Sequence, residues 1–263
     1  MGVLILILFV GFILAASNAS TIDDLYFGYK ARKPLPITLK QPLIKYSGYY
    51  NKLPFESKKI FERKMQYFLQ SKEFIPRNLS SVTDEMKALI AAAAVQLTFG
   101  LPNITLKHFN KILVYPTDYY SSINRQYHRG EVNPRFKSIV LSWQHFVEGF
   151  SNPTDGINLG LHEMAHALKL ENIIQNGEHH FFDLEEYAHW LELTKVEIDK
   201  IRNGEDSILR SYASVNEDEF FAVCMEVYFE QPHQLMKSNP ELYKSLSNLL
   251  NQDTIQLYDK QSA

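Results

Sequence analysis

Cysteine is nearly missing from this chain: Cys224 is the only one among 263 residues. A lone thiol excludes intrachain disulfides and any zinc cage built from cysteines. It also removes the acylated cysteine that a lipoprotein would carry near its start. Charge of one sign is lacking as well. The net charge is −3 and no dense Lys/Arg run occurs, so nothing points to a nucleic-acid partner. There is no internal repeat and no low-complexity tract. What is present, 45% hydrophobic and 22% charged residues, is the composition of a globular protein with one sizeable domain.

The first 22 residues carry no charged side chain, and Val3 to Ala16 is almost purely aliphatic. Two expectations follow. An uncleaved anchor running to Ile22 approaches the ~20 residues that a bilayer requires. Lys30, Arg32 and Lys33 then follow the span with nothing basic before it, which places the domain in the cytoplasm. The alternative is a signal peptide cut near Ser17-Asn18-Ala19, with export to the periplasm or medium. Residues 23–54 read as a linker and approach segment, because Pro34, Pro36, Pro42 and Pro54 discourage helix.

Downstream, the apolar residues Phe55, Ile60, Phe61, Met65, Phe68 and Leu69 recur at helical spacing up to about Phe74. A second helix is predicted from a Thr83 cap to Phe99, where Gly100 and Pro102 stop it. Ile112–Tyr115 and Ser138–Trp143 are short β-type runs, and a more polar strand is expected near 126–132. Arg129, Gly130 and Glu131 suit an edge strand to which an extended peptide could add; a plain surface hairpin is the alternative. Helices are predicted again over 158–170, 183–202, 216–230 and 241–250. The plan is α+β: mostly helical, with a small mixed sheet.

Chemistry concentrates in His162-Glu163-Met164-Ala165-His166. On a helix, two histidines four apart share one face and can reach one ion. Glu163, rotated roughly 100° from His162, suits a base for a metal-bound water better than a ligand. This is the pattern of a zinc peptidase. Leu159, Leu161, Ala165 and Leu168 make the helix apolar and predict burial, and buried histidines need partners.

Zinc needs a third protein ligand. The pattern that adds a glycine and a third histidine fails, since Lys169 and Asn172 occupy those positions. His179 and His180, in a polar loop, are candidates. Glu186, Glu219 and Glu226 are others, and spacing does not separate them. Glu219 has a competing role, because Asn216 and Glu219 together resemble a capping box. Glu226 lies two turns beyond Glu219 on the same face, as a second ligand candidate or an outer-shell group.

Three stretches in order carry a resemblance: Ser138–Trp143; Asp155-Gly156-Ile157-Asn158-Leu159 leading into His162–Leu168; and Tyr212-Ala213, Asn216 and Glu219–Val223 through Glu226–Phe229, Pro232 and Pro240–Tyr243. From about Phe55 to Leu250 the chain resembles the Mlc titration factor A family, zinc peptidases whose fold is similar to the catalytic domain of anthrax lethal factor. The resemblance implies a zincin-type domain over 55–263, with Zn²⁺ held by His162, His166 and Glu219. It implies Glu163 as general base, Tyr212 bordering the active site, and a peptide or protein substrate. A soluble member of the family sequesters a transcriptional repressor, so the resemblance also carries an alternative: a zinc-containing regulatory protein with a protein partner.

Overall fold

A computed structural model describes residues 33–121 and 125–259. Its four-stranded sheet has the order β1-β2-β6-β5, formed by β1 (Glu73–Pro76), β2 (Lys111–Tyr115), β6 (Ser138–Ser142) and β5 (Gly130–Asn133). The first three strands run parallel and β5 is antiparallel to β6, with Gly130 opposite Leu141. One face is built from the fully buried Ile112, Val114, Ile139 and Leu141. These alternate with Leu113 and Val140 as the strand period requires. Separately, β3 (Tyr119–Ser121) and β4 (Gln126–His128) form a small antiparallel hairpin.

Helices supply most of the mass. In chain order they are α1 (Ile37–Tyr46), α2 (Gly48–Lys52), α3 (Phe55–Gln70), α4 (Asp84–Thr98), α5 (Trp143–Ser151), α6 (Leu159–Ile173), α7 (Leu184–Arg202), α8 (Glu217–Glu230), α9 (Pro232–Ser238), α10 (Pro240–Leu250) and α11 (Thr254–Asp259). A 3₁₀ turn over Ser211–Ser214 precedes α8. The domain is a predominantly helical α+β fold with a small mixed sheet, as the periodicities predict. The core lies between α4, α6 and α8, whose apolar residues are almost all buried. Caps form where the sequence places them. Thr83 accepts from the Met86 amide, Asn158 from Leu161, and Asn216 from Asp218 and Glu219, each satisfying a donor that a helix start leaves open.

Four expectations need correction. First, the stretch read as a linker over 23–54 contains α1 and α2, and it buries Leu43, Tyr49, Tyr50 and Leu53 in the core. Pro42 stands inside α1; burial of its neighbours outweighs the local penalty of a proline. Second, Phe74 does not extend α3 but lies in β1, where its side chain packs on the core from a strand. Third, the polar strand at 126–132 divides, with 126–128 in the hairpin and β5 beginning at Gly130 on the sheet edge. Fourth, no helix among the described residues is long and apolar enough to cross a membrane. The expected membrane anchor, the placement that followed from it and the association with a membrane are therefore withdrawn. The segment 1–22 on which they rested lies outside the described residues.

Candidate metal centre

Helix α6 brings His162 and His166 to one face, one turn apart, and α8 crosses that face with Glu219 in its first turn. Three ligand atoms converge. His162 Nε2 lies 3.1 Å from His166 Nε2 and 3.1 Å from Glu219 Oε2, and His166 Nε2 lies 3.6 Å from the same oxygen. Among the described residues this trio is the one His/Cys/Asp/Glu cluster able to hold a metal ion. Its burial decides how the atoms are used. Among the described residues Glu219 Oε2 is buried without a hydrogen-bond partner, a costly state unless a cation fills the gap. The spacings also fit: bonds of about 2.0–2.1 Å to a tetrahedral ion put ligand atoms about 3.3 Å apart.

Neighbouring groups fix how the histidines present themselves. His162 Nδ1 lies 2.7 Å from Glu226 Oε1. A carboxylate can only accept, so Nδ1 carries a proton there, and Nε2 is the nitrogen turned to the cluster. Glu226 is 1% exposed and is held on three sides. Its Oε2 accepts from the Asn158 amide at 2.6 Å, and its Oε1 accepts from Arg210 Nη2 at 2.6 Å. Glu226 therefore stands behind His162 rather than in the cluster. Burial lowers the affinity of His162 for a proton, but Glu219 and Glu226 more than offset it, raising the group to about 10. The same charges attract any cation. The carboxyl of Glu219 is held far below the usual range: the two histidines overcome the opposing effect of burial.

Glu163 is 5% exposed and makes no hydrogen bond among the described residues. Burial, helped by the nearby carboxylates of Glu219 and Glu226 and opposed by the histidines, lifts its carboxyl to about 7. The side chain lies against Gly130, where a Cβ would overlap the carboxylate. A glycine at the start of β5 thus lets the strand approach Glu163. Tyr212, on the 3₁₀ turn, is 47% exposed, with its ring centroid 6.2 Å from that of His162. Burial and the Glu219 carboxylate raise its phenol. A cleft of about 630 Å³ opens over these groups, bounded by Tyr127–Gly130, Ile157, Leu159, Arg210 and Tyr212.

Of the rival ligands, His179, His180 and Glu186 stay outside the cluster. His180 has a left-handed backbone, His179 Nδ1 turns to the Asn176 carbonyl, and the Glu186 amide is capped by Asp183. Glu219 resolves its two readings by dividing them. Its amide donates to Asn216 Oδ1 at 2.9 Å, completing half of the cap, while its carboxylate faces the histidines. Sequence reasoning placed His128 and Gly130 only within a polar strand, without the approach of Gly130 to Glu163, and missed Arg210 as the partner of Glu226; no local signal marked that pair.

A predominantly helical domain whose core helix presents two histidines and a buried glutamate beneath an open strand edge is the architecture of a metallopeptidase. The chain belongs to the family described as glucose-regulated metallo-peptidase M90, whose model matches residues 28–250. It is 28% identical over 230 residues to an uncharacterized protein of Synechocystis sp., covering 82% of this chain and 84% of that one. It is 29% identical over 211 residues to the Mlc titration factor A of Pectobacterium atrosepticum, covering 72% and 76%. With that of Serratia proteamaculans it shares 30% identity over 210 residues, covering 71% and 77%.

Proposed function

We propose that this metallopeptidase-family chain is a zinc-dependent peptidase in which His162, His166 and Glu219 hold the metal. The observation that carries the reading is the convergence of two imidazole nitrogens on Glu219 Oε2, a buried oxygen with no hydrogen-bond partner among the described residues. Two imidazoles and a carboxylate are a donor set typical of catalytic zinc. When bound, Zn²⁺ lowers the pKa of a water and polarises the scissile carbonyl.

The chain's own groups do the rest. Glu163, poised near neutrality by burial, takes the proton of the attacking water and delivers it to the leaving amine. Tyr212 donates from its phenol to the oxyanion that develops on the carbonyl. The substrate lies extended along β5, which pairs with β6 on one side and ends the sheet on the other. Its main chain adds to that free edge by hydrogen bonds, and Gly130 lets it lie close to Glu163.

Zinc content and peptide cleavage measured in parallel on wild type and Glu163→Gln test this. About one zinc per chain in both, with cleavage only in wild type, is the expected result; cleavage by the variant would refute the mechanism.

The relatives named Mlc titration factor A favour a second reading, a protein that binds a regulator and keeps the metal as structure. A retained base argues against it, because a structural site has no use for Glu163. Binding to a regulator that survives Glu163→Gln while wild type cleaves no peptide would favour that reading.

A further inference from the structure

We propose that Arg210 is a positioning residue of the metal centre: it neutralises Glu226, which orients His162, and it ties that carboxylate to the loop that starts α6. This rests on the zinc reading above. The carboxylate of Glu226 is nearly sealed from water, and a buried negative charge needs a positive neighbour. Two groups face its Oε1, His162 Nδ1 at 2.7 Å and Arg210 Nη2 at 2.6 Å. Glu230, one turn further along α8, is acidic and instead accepts from Gly156 and Asn158. Arg210 supplies a positive neighbour to the oxygen that His162 Nδ1 also faces, so the carboxylate is held from a second side while His162 Nε2 stays turned to the cluster.

Geometry gives Arg210 a second task. Its Nη1 donates to the Gly156 carbonyl at 2.9 Å while Nη2 holds Glu226. Gly156 has φ 73°, a left-handed backbone that glycine adopts without strain, and Asn158, the cap of α6, follows two residues on. The planar fork therefore spans the loop before α6 and the side chain behind His162, a pairing that an ammonium cannot reproduce with one point charge. Arg210 also lies two positions before Tyr212, with its guanidinium carbon 5.9 Å from that ring. One cation thus registers the ligand helix against the turn that carries the tyrosine.

The test is zinc affinity, measured by competition with a chromophoric chelator on metal-free wild type, Arg210→Lys, Arg210→Met, Glu226→Gln and the Arg210→Met/Glu226→Gln double variant. Circular dichroism of each metal-free protein checks its fold. Arg210→Met is expected to weaken zinc by about 10- to 100-fold, the usual effect of losing an outer-shell partner. Arg210→Lys should fall between it and wild type. In the Glu226→Gln background, Arg210→Met should add less than about threefold, because its effect passes through Glu226. Tight binding by wild type with Arg210→Met within about twofold of it, or independent losses in the double variant, overturns the positioning role alone. A wild type that binds no zinc overturns the site reading, and this inference with it. Should Arg210→Met lose its fold, Arg210→Lys decides: affinity equal to wild type refutes the two-acceptor role.

Discussion

Helix α6 carries two buried glutamates about two turns apart, and the fold treats them in opposite ways. Glu171 is fully buried and saturated. It accepts from the His108 amide at 3.1 Å and from Asn176 Nδ2 at 2.5 Å. Nearby, Lys72 is buried with its ammonium on the Leu106 carbonyl, and Glu178 accepts from Thr105 and Lys107. Burial raises the carboxyl of Glu171 while these bonds pull it back. That end of the helix is a staple between loops. Glu163 is buried as well, yet no donor among the described residues satisfies it, and burial lifts its carboxyl to about 7. One residue type on one helix becomes a fastener where hydrogen bonds close around it and stays near neutrality where they do not. Burial alone makes neither.

The largest way to break this comparison is to neutralise each carboxylate in turn. Glu163→Gln is expected to lower kcat for peptide hydrolysis by at least about 10²-fold with unfolding temperature near wild type. Glu171→Gln should do the reverse, costing about 1–3 kcal/mol of stability through unmatched donors and leaving kcat within a few fold. Equal kinetic losses in both variants would erase the distinction.

Glu219→Ala and Asn216→Ala separate ligand from cap at the start of α8. The first should strip zinc from the purified protein. The second should cost ~1 kcal/mol of stability and keep the metal, because the Glu219 carboxylate does not depend on the cap. Metal analysis beside thermal unfolding reads both, and zinc retained by Glu219→Ala counts against the proposed ligand.

Gly130→Ala sharpens the account of Glu163 from the strand side. The added methyl would displace the carboxylate rather than break the ladder, so kcat should drop about tenfold or more, in line with misplacing a catalytic base. KM should change little. Unaltered turnover would show that β5 does not set the position of the base.

A separate, pH-dependent effect concerns Glu230, whose carboxyl burial pushes from 4.5 to about 7. The folded state then binds its proton more tightly than the unfolded chain, so this group's contribution to stability declines as pH rises from 4.5 to 7 and stays constant above that. The decline is at most about 3 kcal/mol. Glu230→Gln should flatten it in urea titrations at several pH values, and an identical slope in the variant would remove Glu230 from the explanation.

Where the sequence was readable, the signal was local. Short β-type runs exposed β2 and β6, and 3.6-residue periodicity with a cap exposed α4, α6, α7 and α8 within a few residues. Proline misled at α1, where burial of Leu43 against the rest of the fold overrides the residue's own preference. Phe74 misled because an apolar side chain fits a helix face or a strand equally well. The candidate site divided along the same line. His162, Glu163 and His166 share one turn, so their relation is set by helix geometry. Choosing among Glu186, Glu219 and Glu226 needed the packing of α8 on α6, since nothing in spacing says which carboxylate crosses the histidine face.

By itself, then, the sequence determined a helix bearing two histidines on one face with a glutamate beside them, a small sheet and the cap at Asn216, because each is written in residues a few positions apart. Tertiary structure decided the rest. It put Glu219 Oε2 between the histidines, set Glu226 behind His162 with Arg210 as its counter-charge, brought Gly130 against Glu163 and closed hydrogen bonds around Glu171. Those choices depend on contacts between distant segments, where desolvation and the supply of donors, not residue type, determine which carboxylate faces the histidines, which braces them and which is left without a donor.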